Sequence, residues 1–152
     1  MSYSEGEALA LAQVQAVSGF AASIGNTSRG KYGVLNSGKA AVYAILRPGG
    51  FQRMWMAPKC VHTDYSTIVE VWQRYKDDGT TLTDLEANVQ LILARLDLYR
   101  HMGDTQNKVL DAVAQASPEV MEMMTEDGRG PIWLKQEVTI VWKEESIIAP
   151  AE

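Results

Sequence analysis

Residues 132–143 read I-W-L-K-Q-E-V-T-I-V-W-K, and this stretch decides the fold. Ile132, Leu134, Gln136, Val138, Ile140 and Trp142 alternate with Trp133, Lys135, Glu137, Thr139, Val141 and Lys143. Period-two alternation marks a β-strand, and here one face is nearly all apolar while the other is mostly polar. A strand of this kind belongs to a sheet covered on one side, as antiparallel sheets commonly are. One segment can supply the cover. Leu85, Val89, Ile92, Leu96 and Tyr99 recur four and three apart, on one face of a helix read from Leu82 to Met102. Leu82 and Leu93 widen that face to the breadth of a sheet-covering helix. Thr83 and Glu86 have capping-box spacing, and Gly103 is a C-terminal stop.

Further strands lie upstream. Ala40 to Arg47 reads as a strand, Pro48-Gly49-Gly50 as a turn, and Phe51 to Met56 as the return strand, ended by Pro58. Ser66 to Tyr75 reads as a third strand, followed by a turn at Lys76-Asp77-Asp78-Gly79. Ser4 to Val17 reads as a helix, with Leu9, Ala12 and Ala16 in one apolar line and Leu11 and Val14 beside it. Its small residues suit close packing on a sheet or on another copy, and Gly6 weakens its first turn. Ser18 to Lys39 is a long Gly-rich loop, with a short strand expected around Phe20 to Ile24. It carries Arg29, Lys31 and Lys39 and no acid, a local reversal of sign in an acidic chain. Asp104 to Gly128 reads as one or two short helices, the second started by Ser117-Pro118-Glu119. The tail from Glu144 to Glu152 reads as disordered. The expectation is one α+β domain over residues 1–143: a mostly antiparallel sheet of about four strands, a long helix on it, and an N-terminal helix.

Composition sets bounds. The chain has 152 residues, within single-domain size, and 46% hydrophobic residues suffice for one core. No apolar run approaches the ~20 residues of a membrane helix. Met1 to Glu7 carries two acids and no base, unlike a secretory signal, so synthesis and retention in a cytoplasm are expected. The net charge of −5 disfavours a dedicated nucleic-acid binder, whose affinity comes from clustered Lys and Arg. It is compatible with a wall past which DNA slides without sticking.

No catalytic motif emerges. Gly25 to Lys31 and Gly33 to Lys39 imitate phosphate-binding loops, but Tyr32 and Ala40 stand where such a loop needs Ser or Thr, and no helical pattern follows. Cys60, His62 and Asp64 share one face of a strand, yet they fall short of a four-ligand zinc site and of triad geometry. The expectation is therefore a protein without catalytic residues, metal or cofactor. Aromatic and Arg side chains are enriched at protein contacts, so Phe51, Arg53, Trp55 and Trp133 are the subunit-interface candidates. Trp142 lies on the apolar face and is expected in the core.

The order of elements resembles the tail terminator (tail completion) proteins of long-tailed bacteriophages. The matching stretches are A-A-V-Y-A-I-L-R-P-G-G-F-Q-R-M-W at Ala40 to Trp55, T-T-L-T-D-L-E-A-N-V-Q-L-I-L-A-R-L at Thr80 to Leu96, and W-L-K-Q-E-V-T-I-V-W at Trp133 to Trp142. The Gly-rich loop and the extra segment at Asp104 to Thr125 depart from the simplest form of that family. The resemblance implies a virion protein that forms a ring, a hexamer in that family. Such a ring caps the tail tube protein, offers a joining surface to the head–tail connector, and lets DNA through its lumen without specific binding. Arg29, Lys31 and Lys39 would then face the lumen or a partner. Another neck, connector or tail-tube component is the alternative, and a small nucleotide-binding domain the more distant one.

Overall fold

The computed structural model describes residues 3–17, 27–37, 39–77, 79–124 and 132–147. The described elements are α1 (Tyr3–Gln15), β1 (Thr27–Arg29), α2 (Val34–Ser37), β2 (Val42–Ala57), β3 (Cys60–Arg74), α3 (Thr80–Leu98), β4 (Val109–Met124) and β5 (Ile132–Ile147). The fold is α+β. Five strands lie in the order β1-β2-β3-β5-β4, antiparallel throughout except for the short parallel pair β1–β2. No described helix is long and apolar enough to cross a membrane.

β5 forms as its alternation requires. Val138, Ile140 and Trp142 are fully buried in the main core with Ala44, Leu46, Val69 and Val71 of the neighbouring strands. α3 closes this face with Leu85, Val89, Ile92 and Leu96. Burial of each of these four aliphatic side chains contributes ~1.5–3 kcal/mol to the docking of α3. Polar ties fix its position: Asn88 donates to Gln73 of β3 at 2.8 Å, and Arg95 donates to Gln13 of α1 at 2.9 Å. Tyr99, read as part of the buried line, falls just past the helix and is partly exposed, with the Arg95 guanidinium over its ring.

Several expectations are corrected. The helix starts at Thr80, and Thr83 with Glu86 forms no capping box. Instead Asp77 accepts the N–H of Thr80 at 2.7 Å, while Thr83 donates back to the Gly79 carbonyl. Pro48-Gly49-Gly50 is no turn: β2 runs through it with a bulge, because Pro48 pairs with Thr67 and Gly50 with the adjacent Ser66, leaving Gly49 extra. The true hairpin turn is at Pro58-Lys59, so β3 begins at Cys60, six residues earlier than expected.

The expected short helices at Asp104 to Gly128 are largely replaced by strand β4, so the sheet has five strands instead of about four. Ser117-Pro118-Glu119 is a bulge, three residues spanning one position of β5 between the pairs Ala116–Val138 and Val120–Gln136. β4 is an edge strand, where a bulged proline costs the sheet least. The expected disordered tail is strand as far as Ile147; residues 148–152 lie outside the described residues, as does the strand expected at Phe20 to Ile24.

α1 also turns a different face inward. Gly6, Ala10, Val14 and Val17 are buried, whereas Ala12 and Ala16 are exposed. In an Ala-rich helix the contrast between faces is weak, and the decisive feature is the absence of a side chain at Gly6, which lets Trp142 pack directly on the helix backbone.

Candidate interaction surface

The bulge at Gly49 governs what β2 displays. Before it, Ala44 and Leu46 point to the helix side of the sheet; after it, Phe51, Arg53 and Trp55 do, facing Tyr65, Thr63 and Val61 across the strand pair. β1 pairs only with Ala44–Leu46, so among the described residues β2 has no neighbour on its outer side from Pro48 onward. The result is an open-edged ribbon. Phe51 is 68% exposed, Met54 58%, Trp55 59% and Met56 54%. An open edge lined by large apolar side chains is a surface that invites pairing with another chain.

An aromatic row links the ribbon to the core. The buried Trp142 ring stacks on Tyr65 at 5.8 Å, and Phe51 stands 6.2 Å beyond Tyr65. Tyr3 joins both Tyr65 and Trp142. The Arg53 guanidinium lies 6.0 Å from the Trp55 ring.

Trp133 does not belong to this surface. It is 1% exposed, in a second cluster on the back of the sheet with Leu35, Tyr43, Ile45 and Trp72. α2 supplies Leu35 to that cluster, so the back face is itself partly covered. Beside the cluster, Glu70 is buried among partners: Tyr32 donates to it at 2.5 Å, and Lys135 and Arg47 stand 3.4 and 3.5 Å away. Arg47 also reaches Glu137 at 2.9 Å. Burial, with the hydrogen bond to Glu70 second, pushes the Tyr32 phenol up to about 12.

The basic loop residues part company. Arg29 is committed to an ion pair with the buried Glu7 of α1, so its charge is neutralised within the chain. Lys31 and Lys39 are exposed on either side of α2.

Two features escaped sequence reading. The first is an outward stripe on α3. Ala87, Leu91, Ala94 and Leu98 are all exposed and spaced four, three and four apart, so they form one apolar line. It was legible in principle, as a second 3.6-residue period superposed on the buried one. The second is a side-chain cluster at the ribbon's end. Cys60, His62 and Glu145 converge with their donor atoms all within 4.8 Å of one another. Glu145 comes from β5, opposite His62 in register, whereas Asp64, on the same face of β3, stands near Lys143 at 4.0 Å. His62 Nε2 is 2.8 Å from Glu145 Oε2, and the Cys60 thiol lies within 4.8 Å of the same carboxylate. The hydrogen bond with His62, the largest cause, holds Glu145 below the usual carboxylate range.

No protein-family model and no curated protein matches the chain.

Proposed function

We propose that this chain is the subunit of a self-assembling ring that terminates a phage tail tube and offers the surface to which the head joins. The observation that carries the proposal is the open-edged ribbon with Phe51, Met54, Trp55 and Met56 more than half exposed. A closed ring needs head-to-tail contacts between two different surfaces of the same subunit. The α3 stripe is the second surface. The ribbon adds Arg53 and Lys59 to its apolar side chains, and α3 adds Asp84, Glu86 and Asp97 around its stripe, so the two are complementary in charge as well as hydrophobicity. α1, the other surface suggested by its small residues, already uses Gly6, Ala10 and Val14 against the sheet. The order of helix, sheet and covering helix agrees with the layout of tail terminator proteins, and the acidic charge suits a lumen that DNA crosses without sticking.

The test is the mass and shape of the purified protein, alone and with tail tubes. The expected result is closed rings of defined size, about six subunits, that bind tube ends and stop elongation. A strict monomer that does not bind tube ends, or a filament that grows without limit, overturns the proposal.

A further inference from the structure

We infer that Cys60, His62 and Glu145 form a binding site for a divalent transition-metal ion, with Zn²⁺ as the preferred occupant. The inference stands apart from the ring reading, since it rests only on the geometry of the ribbon's end.

The argument begins with register. Cys60 and His62 are two apart on β3 and therefore share a face, and Glu145 pairs directly with His62 from β5. Three donors of different kinds thus meet on one side of the sheet, all within 4.8 Å of one another. Zinc bonds to thiolate, imidazole and carboxylate are ~2.0–2.3 Å long, so ligand atoms of one tetrahedral ion lie ~3.3–3.8 Å apart. Rotamer adjustment alone spans the difference. The donor set is also selective. A thiolate, a neutral imidazole and a carboxylate suit zinc, whereas magnesium and calcium take oxygen ligands. The thiolate and the carboxylate together carry two negative charges, which Zn²⁺ balances once the thiol proton has left to solvent.

An ordinary cross-strand ion pair would explain His62 and Glu145 but not the cysteine sulfur within 4.8 Å of both. Cys60 and His62 are half-buried and Glu145 exposed, so an ion has a route in and a fourth position remains for water. The consequence is mechanical. A bound ion ties β3 to β5 where the sheet narrows beyond Val109, the first residue of β4 to pair with β5.

The experiment titrates the full, tag-free chain with Zn²⁺ by calorimetry and with Co²⁺ by absorption. The expected result is one ion per chain and a thiolate-to-cobalt charge-transfer band that Zn²⁺ abolishes. Cys60→Ser removes the band. His62→Ala and Glu145→Gln each weaken Zn²⁺ binding by at least ~10-fold, the loss that even an outer-shell change inflicts on a built site. Hydrogen exchange gives a second readout: amides at 60–62 and 145–147 slow on adding Zn²⁺ to the native chain and not to Glu145→Gln. Absence of saturable binding, binding without a thiolate band, or affinity unchanged in Cys60→Ser and Glu145→Gln overturns the inference. The three residues lie outside both core clusters, so circular dichroism of the variants is expected to match the native chain.

Discussion

The indole of Trp142 occupies the space that any side chain on Gly6 would need: a Cβ built on Gly6 falls 2.6 Å from Cζ2 of that ring. Helix α1 and strand β5 touch there with no side chain between them. In an ordinary helix, Gly→Ala stabilises by ~1 kcal/mol. Here overpacking, typically ~1–3 kcal/mol, outweighs that gain. Gly6→Ala is therefore expected to lower stability by about 1–2 kcal/mol, read from the denaturant midpoint at unchanged slope. A more stable Gly6→Ala protein would refute the close contact.

Two tryptophans separate folding from assembly. Trp133→Ala opens a cavity in the second cluster and is expected to cost ~3–5 kcal/mol. Trp55→Ala removes an exposed ring and is expected to leave stability within about 0.5 kcal/mol. The same Trp55 substitution should nonetheless weaken ring formation, which sedimentation across a concentration series measures.

The α3 stripe makes the reciprocal prediction. Leu98 is 79% exposed, so Leu98→Glu should fold normally while disfavouring the ring by about 2 kcal/mol or more, some 30-fold in the association constant. Mixing Leu98→Glu with Trp55→Ala subunits should yield heterodimers, since each retains the surface the other lacks. Rings formed by Leu98→Glu alone would count against α3 as the second surface.

Acid should loosen the connection between α3 and β4. Burial raises the Asp104 carboxyl, but N–H bonds from Val109, Gln106 and Lys108 outweigh it and hold it below its ordinary 3.8. A hydrogen bond from Arg100 holds Asp111 low in the same way. Carboxyls depressed in the folded state stabilise it above their unfolded values and lose that contribution as pH falls through the folded ones. Protection of amides 104–111, referred to the intrinsic exchange rate at each pH, should therefore fall below about pH 4, and less so in Asp104→Asn.

Tyr32 gives the opposite dependence. Its phenol is raised, so its contribution is complete below pH 10 and disappears as pH rises from 10 to about 12. The late-titrating phenolate absorbance should fall by one tyrosine in Tyr32→Phe, while Tyr3, also raised by burial, keeps its share.

Much of the main core was legible in sequence. The alternation in β5 and the four-and-three spacing in α3 both predict the side chains that are buried, because each burying face is fixed by its own period. β4 was hidden for a physical reason. Its Ala and Met residues favour helix, and bulges at Leu110 and at Ser117-Pro118-Glu119 break the two-residue rhythm. What makes it a strand is the free edge of β5, a tertiary demand that local propensity cannot register. Ala112, Ala114 and Ala116 retain the trace, alternating inward beneath the helices. Alternation alone does not place Trp133, because Leu35 of α2 and Trp72 bury the start of the polar face of β5. The Cys60, His62 and Glu145 cluster depends on a pairing between segments 83 residues apart, which no local spacing announces.

Gly49, like Met56 at the end of β2, counts for neither side of the pleat. A Cβ there would come within 3.0 Å of the Ser66 carbonyl oxygen, so the position tolerates little else. It works as a half-beat rest in a two-beat measure: the strand resumes afterwards on the opposite foot. The inner half of β2 keeps time with the core, and the outer half keeps time with whatever lies outside. Substitutions beyond Gly49 can therefore retune the display without disturbing the interior, whereas deleting Gly49 would exchange the sides on which Trp55 and Met54 are shown.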